Sequence, residues 1–253
     1  KMSPEEHLAH IKQTIDYALS KDFTVNLYLE DWSSGMRDSR DYLFTMMDEL
    51  VKLPIKRFLL PDTLGILNPL QCVEYMRQMV RRYPNSHFDF HAHNDYDLAV
   101  SNSLAAVLSG AKGLHVTVNG LGERCGNAPL ASVQVILKDM FGAKTNIKED
   151  RLNDISRLVE GYSGIAVAPN TPVVGDNVFT QVAGVHADGD NKDKLYCNDL
   201  VPERFGRHRE YALGKNSGKA NIIQNLNELG LELTPEQTKA VTKRITELGD
   251  RKE

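Results

Sequence analysis

"HFDFHAHND", residues 87–95, alternates aromatic and polar side chains and then runs into a charged turn. In an extended strand residues i and i+2 share a face, so His91 and His93 point one way and Ala92 the other. Two imidazoles on one face can bind a single divalent ion, or can be a hydrogen-bonded pair. The stretch leads directly into "LAVSNSLAAVLSG" (98–110), a helical run closed by Gly110. Strand and helix make one β-α unit, and the question is whether the unit repeats.

It repeats on both sides. "FTVNLYLED" (23–31) is β-rich and is followed by a helical period through Leu43, Met46, Met47 and Leu50. "KRFLLPD" (56–62) is a second strand, and Asn68-Pro69 opens its helix as N-cap and N1. "GLHVTV" (113–118) leads into "ASVQVILKDMFG" (131–142). The polar residues at the four strand ends, Glu30, Asp62, His91 and Thr117, are 32, 29 and 26 residues apart. Four consecutive β-α units predict a parallel sheet, either doubly wound or a (β/α)8 barrel. Polar residues at the C-terminal end of every strand favour the barrel. A doubly wound sheet usually carries a Gly-rich phosphate loop, and the glycines at 120, 122 and 126 miss the G-x-G-x-x-G spacing.

Around this core, Ser3 and Glu6 form a capping-box pattern before a helix reaching Lys21. After Gly142 a helix over about 149–161 leads to the Pro-containing "VAPNTPVVGDN", a boundary signal. Residues 176–219 read as loops and short helices, and two helices close the chain, the second capped by Thr234, Pro235 and Gln237. The expected division is 1–170 for the barrel part, 171–219 for a lid or linker, and 220–253 for a small helical part.

At 253 residues the chain can bury a substantial core. A net charge of -4 argues against general nucleic-acid binding. The cysteines at 72, 125 and 197 are too scattered for a disulfide framework, and the longest apolar runs fall short of the roughly 20 residues of a membrane span. The expectation is a soluble, cytoplasmic protein.

Several side chains are candidates for chemistry. Glu30 and Asp31 end the first strand, where a carboxylate can serve as general base or can simply cap a turn. Asp62 and Thr63 in "LPDTLG" can bind a substrate or form a turn. "GLGERCGNAPL" (120–130) offers Glu123, Arg124 and Asn127 in a loop, with Cys125 read as inert. His186 and Asp188 in "GVHADG" can act in catalysis or be solvated. Asn94 and Thr117, at strand ends, join Thr63 as candidate substrate-binding residues.

Taken in order, "LPDTLG", "HAHND", "GLGERCGNAPL", "GVHADG" and "LGKNSGKA" resemble one family over essentially the whole chain. This is the family of metal-dependent TIM-barrel acyl-CoA synthases and lyases: 2-isopropylmalate, homocitrate and citramalate synthases and their lyase relatives. The resemblance implies His91 and His93 as ligands of a divalent metal (Mg, Mn or Zn), with Asn127 at or near it. It implies Glu30 as a catalytic or substrate-orienting acid, Thr63 as a contact to a 2-oxo acid carboxylate, and His186 as a lid histidine covering a neighbouring subunit's site. The activity implied is a Claisen-type acyl transfer from acetyl-CoA to a 2-oxo acid, 2-isopropylmalate synthase-like and so a step of leucine biosynthesis. The alternatives are a homocitrate or citramalate synthase, an acyl-CoA lyase, or a non-catalytic fragment. The implied assembly is a homodimer with lid exchange.

The sequence departs from the family's pattern in three places. Tyr96 and Asp97 stand where an apolar residue and Gly usually follow HxHND, and "EDWSSGMRDS" is about two residues longer than the usual turn, so Arg37 matches only loosely. The Arg-Asp-Gly motif of the family's first strand, whose Asp is a third metal ligand, has no counterpart. Four β-α units are half of a closed barrel. The expectation is therefore the second half of a barrel with its lid, completed by an N-terminal half-barrel in another polypeptide or segment.

Overall fold

The computed structural model describes residues 2–181 and 198–251. Two compact units divide the chain, one ending at Ala143 and the other beginning at Lys144.

The first unit is the repeated β-α pattern. Helix α1 (Pro4–Leu19) starts on the expected capping box, with Ser3 Oγ accepting from the Glu6 amide at 3.2 Å and Glu6 returning a carboxylate to the Ser3 amide at 2.8 Å. Four strands follow, β1 (Val25–Tyr28), β2 (Ile55–Asp62), β3 (Phe88–Ala92) and β4 (Gly113–His115), hydrogen-bonded in that order and all parallel. Their helices are α3 (Arg40–Leu50), α4 (Pro69–Arg82), α5 (Ala99–Leu108) and α6 (Leu130–Phe141). Asn68 and Gln71 form a capping box on α4, a reciprocity that the Asn-Pro pair alone does not reveal.

The structure differs from the sequence reading after β1. The "WSSGMRD" segment, expected as a long turn, is helix α2 (Trp32–Asp38). Asp31 adopts a left-handed conformation, φ 54°, which turns the chain at once from strand to helix and sends Trp32 and Met36 into the core. Strands β1 and β4 are also shorter than the apolar runs that predict them. Glu30 therefore lies two residues past β1, and Thr117 two past β4.

The sheet has two unlike faces. Phe58, Leu60, Phe88, Phe90 and Ala92 point to the helices and pack with Trp32, Met36, Met47, Leu50, Met76 and Met79 in one buried cluster. Fully burying side chains of this size contributes about 1.5–3 kcal/mol each. The other face carries Arg57, Asp89, His91 and His115, and this polar face leads up to the strand ends.

The second unit contains a 3₁₀ turn (Glu149–Arg151) running into α7 (Leu152–Ser163), a two-residue parallel pair β5 (Thr180–Gln181) and β6 (Glu210–Tyr211), and helices α8 (Lys219–Glu228) and α9 (Pro235–Arg251). The β5–β6 pair lies in the region expected to hold only loops and short helices. Two-residue strands carry no period for a sequence to show. Arg204 donates to both oxygens of Glu149 at 3.2 and 3.0 Å, and Phe205 stacks on Phe179 at 5.7 Å. Gln237 and Thr234 exchange the expected cap bonds of α9. No helix among the described residues is long and apolar enough to cross a membrane.

Candidate functional site at the strand ends

The loop that follows β4 folds back along the end of β3. Asn94 N donates to Gly126 O at 2.9 Å, Ala128 N to Ala92 O at 3.2 Å, and His93 and Asn127 form an isolated antiparallel bridge. This backbone pairing carries the Asn127 side chain to the histidine pair. The His91 and His93 rings lie 5.0 Å apart at 86° to one another.

The three side chains share one property. His91 Nδ1, His93 Nδ1 and Asn127 Oδ1 are all buried and without a hydrogen-bond partner, while Asn127 Nδ2 is spent on Leu121 O at 3.0 Å. Buried polar atoms are normally paired, so three orphans, two of them on residues joined by one backbone bridge, fit the donor set of a bound cation: two imidazoles and an amide oxygen. Burial, and then the nearby His93 and His115, push His91 down to about 4, so at neutral pH this ring is uncharged and can donate a lone pair. Among the described residues, no group of three His, Cys, Asp or Glu side chains could hold a metal.

Glu30 and Thr63 are brought together. Thr63 Oγ1 donates to Glu30 Oε1 at 2.9 Å and accepts from the Asp31 amide at 3.1 Å, which ties the end of β1 to the end of β2. Thr117 Oγ1 is a further buried oxygen with no partner. Asn94 is engaged locally, its Oδ1 accepting from Ala99 N at 3.1 Å and its Nδ2 donating to Asp97 at 3.2 Å. Asp62 resolves to the turn reading: wholly buried, it accepts from the Ile66 and Leu67 amides at 3.0 and 3.1 Å and so shapes the loop after β2. Arg37 pairs with its neighbour Asp38. Cys125 is exposed. His186 and Asp188 lie outside the described residues.

Two sets of contacts escape the sequence reading. Arg124 donates through Nε and Nη2 to Asp95 at 2.7 and 3.0 Å and through Nη2 to Thr63 O at 2.7 Å, clamping the "GERCGN" loop to the ends of β2 and β3. Its partners are 29 and 61 positions away, and no local pattern marks them. Tyr28 and His115 stand beside His91, with ring centroids 6.3 and 6.0 Å from it. Period-two alternation around the strands places them on the His91 face, which is the signal that finds them.

With this geometry in hand, comparison with known proteins assigns the family. The HMGL-like family model matches residues 1–159, more than half of the chain, and the homocitrate synthase post-HMGL domain-like model matches 173–253. Among relatives, "Putative (R)-citramalate synthase CimA" of Methanopyrus kandleri is 37% identical over 99% of this chain and 49% of its own length. The same organism's "Probable 2-isopropylmalate synthase" is 38% identical over 99% of this chain and 50% of its own length. The homocitrate synthase of Saccharolobus islandicus strain L.S.2.15 is 39% identical over 97% of this chain and 52% of its own. The chain thus spans about half the length of the curated relatives it matches. The HMG-CoA lyase structure of Bacillus subtilis, 23% identical, superposes with a TM-score of 0.58 over 64% of this chain and 57% of that one, which is a likeness of fold. The chain belongs to the HMGL-like family, and a homocitrate synthase post-HMGL domain-like segment follows.

Proposed function

We propose that the protein carrying this chain is an acyl-CoA:2-oxo acid acyltransferase, 2-isopropylmalate synthase-like, which joins acetyl-CoA to a 2-oxo acid and releases CoA. The observation that carries this reading is the set of buried, unpartnered atoms on His91, His93 and Asn127 within a chain of this family. Relatives named citramalate, isopropylmalate and homocitrate synthase favour a synthase over a lyase, because the likeness to HMG-CoA lyase is one of fold. The same three names leave citramalate and homocitrate synthesis as the alternative activities.

His91, His93 and Asn127 would hold a divalent cation, Mg, Mn or Zn, which when bound supplies Lewis-acid polarisation of the acceptor's keto group. Thr63 and Thr117, with Asn94 behind them, bind the acceptor and fix its orientation. Glu30, whose carboxylate Thr63 steadies, takes a methyl proton from acetyl-CoA, and His186 is the second candidate for that base. The carbanion so formed adds to the keto carbon, and hydrolysis of the thioester releases CoA.

Among the described residues, strands β1 and β4 each pair on one side only, and a groove of about 520 Å³ lined by Leu27, Leu29, Leu43 and Met46 runs beside β1. An open edge beside an apolar groove invites a further strand and its helix. Four more β-α units there, in this or another polypeptide, would close an eight-stranded barrel. The interval from 159 to 173 between the two family matches supports a division near residue 170, with a lid over 171–219 and a helical part over 220–253. A homodimer exchanging lids and a cytoplasmic location complete the reading, the latter in keeping with the free Cys72 and Cys125.

The test is thiol release from acetyl-CoA by the full-length protein with 2-oxoisovalerate, pyruvate and 2-oxoglutarate, each with and without divalent metal. Metal-dependent release with one of them supports the proposal, and none with any acid overturns it.

A further inference from the structure

The end of the sheet opposite the candidate site holds a cavity that none of these steps uses. It measures about 370 Å³ and opens where β2 and β3 begin and where α3 and α4 end. Its apolar part includes the buried Phe58 and Tyr83, and its exposed part Lys56, Arg82 and Asn85. In a chain of net charge -4, the lining holds Lys56, Arg82 and His87 and no carboxylate.

Arg82 is set in place before any ligand arrives. Its Nε and Nη2 donate to Asp48 at 3.1 and 2.7 Å, and its guanidinium lies 4.8 Å from the centroid of the Phe44 ring. The Tyr83 hydroxyl donates to the same carboxylate at 2.8 Å, which fixes Asp48 in turn. Nη1 of Arg82 is left over and makes no hydrogen bond with the described residues, and the side chains of Lys56, Asn85 and Ser86 make none either. Asp48 balances Arg82 from outside the lining, so Lys56 is without a counter-ion among the described residues. One cavity thus offers an ammonium, a guanidinium N–H group, an amide and a hydroxyl, all unspent. Donors on four separate side chains suit an anion whose oxygens spread tetrahedrally, more than a planar carboxylate with two. The volume lies at the small end of the range for ligand sites, about 300–1,000 Å³.

We propose that this cavity binds a phosphoryl group, carried by inorganic phosphate or by a small phosphate monoester whose body rests on Ile55 and Phe58. Strand β2 puts about 20 Å between Lys56 and Asp62, so the anion and the candidate site lie at opposite ends of the same strand. The assignment stands whatever acceptor the protein uses.

The experiment is calorimetric titration of the full-length protein with inorganic phosphate, adenosine monophosphate and adenosine. No divalent cation is added, and the salt is about 0.15 M, where exposed charges more than about 8 Å apart are largely screened. Saturable binding of one or both phosphates is expected, and none of adenosine. A monophosphate that binds more tightly than inorganic phosphate assigns the ester, and equal affinity assigns the free anion. Lys56→Glu should weaken binding by about 10-fold or more, as loss of a charge-assisted hydrogen bond does, and Asn85→Asp should act in the same direction. Neither side chain has a partner to lose among the described residues, so both variants should melt with the wild type. Arg81→Glu makes the same charge change on the exposed surface of α4, outside the lining, and should leave the affinity nearly unchanged. Three results would each overturn the proposal: no saturable binding of either phosphate, adenosine binding as tightly as its monophosphate, or a Lys56→Glu variant that weakens binding no more than Arg81→Glu does.

Discussion

Replacing Gly126 by alanine tests whether the "GERCGN" loop positions Asn127 through its backbone. Gly126 has φ +80°, and a Cβ built there would lie 1.9 Å from Gly120 O and 3.1 Å from Gly120 C. A left-handed conformation costs a non-glycine residue about 1–2 kcal/mol. The overlap adds about 1–3 kcal/mol, as overpacking does, and no side-chain rotation relieves it because the opposing atoms are backbone. The total of about 2–5 kcal/mol drives the loop to move instead. Gly120 O also accepts from Asn127 N at 2.9 Å, so that movement displaces the Asn127 side chain. Gly142→Ala is the matched control: φ is +62° and nothing lies within 4 Å, so only the conformational cost of about 1–2 kcal/mol applies. Urea unfolding of the full-length protein should therefore place Gly126→Ala below Gly142→Ala. Titration with Mn²⁺ or Zn²⁺, read as a rise in melting temperature, should be weakened only in Gly126→Ala. Equal stability of the two variants, together with wild-type metal response in Gly126→Ala, would refute the reasoning.

Other perturbations probe the neighbouring groups. His93→Ala should remove the metal-dependent rise in melting temperature and lower metal-dependent thiol release by about 100-fold or more, since losing even a ligand's outer partner costs 10–100-fold; an undiminished metal response would exclude His93 as a ligand. Thr63→Val should lower kcat by about 10-fold through loss of the Glu30 and Asp31 hydrogen bonds, with Thr63→Ser recovering most of it; unchanged kcat would show that Glu30 needs no such support. Asp62→Asn should cost about 1–3 kcal/mol, because an amide cannot accept both the Ile66 and Leu67 amides as a carboxylate does. Burial also raises the Asp62 carboxyl above the ordinary range, so the folded state holds its proton more tightly than the unfolded one. Its stabilising contribution is then full below the unfolded value and is lost as pH rises through the raised folded value. Unfolding of the Asn variant should lack that pH dependence, and a curve parallel to wild type would locate the effect elsewhere.

The repeating β-α units were legible because their signals are local. Period-two and helical runs mark the four strands and their helices, and the Ser3, Asn68 and Thr234 caps sit in the chain as the patterns predict. Helix α2 was not legible: its turn into the helix depends on a left-handed Asp31 whose side chain makes no cap bond, and seven residues around Gly35 show little period. In the candidate site, His91 and His93 were visible by spacing and Asn127 by resemblance. The Arg124 clamp and the Tyr28–His115 contact join residues 29 to 87 positions apart, and such pairs exist only once the sheet has formed.

The two faces of the sheet explain why alternation within "HFDFHAHND" carries so much information. Phe88, Phe90 and Ala92 are fully buried against the helices, so their identity answers to packing, and shortening one of the rings costs about 3–5 kcal/mol wherever the reaction occurs. Asp89 and His91 take the alternate positions, where an apolar residue would pack the face more cheaply than a carboxylate surrounded by Arg57, His87 and His115. A one-residue slip of β3 would send both histidines into the helix layer and both phenylalanines toward the site, so the apolar set fixes the register that aims the polar set. The order of dependence runs from the core to the chemistry: Phe88 and Phe90 seat the strand, the strand presents His91, and the returning loop adds Asn127 by pairing its backbone to the strand's end. Substitutions on the helix face should therefore change stability and metal response together, whereas those at Thr63 should change turnover at nearly constant stability.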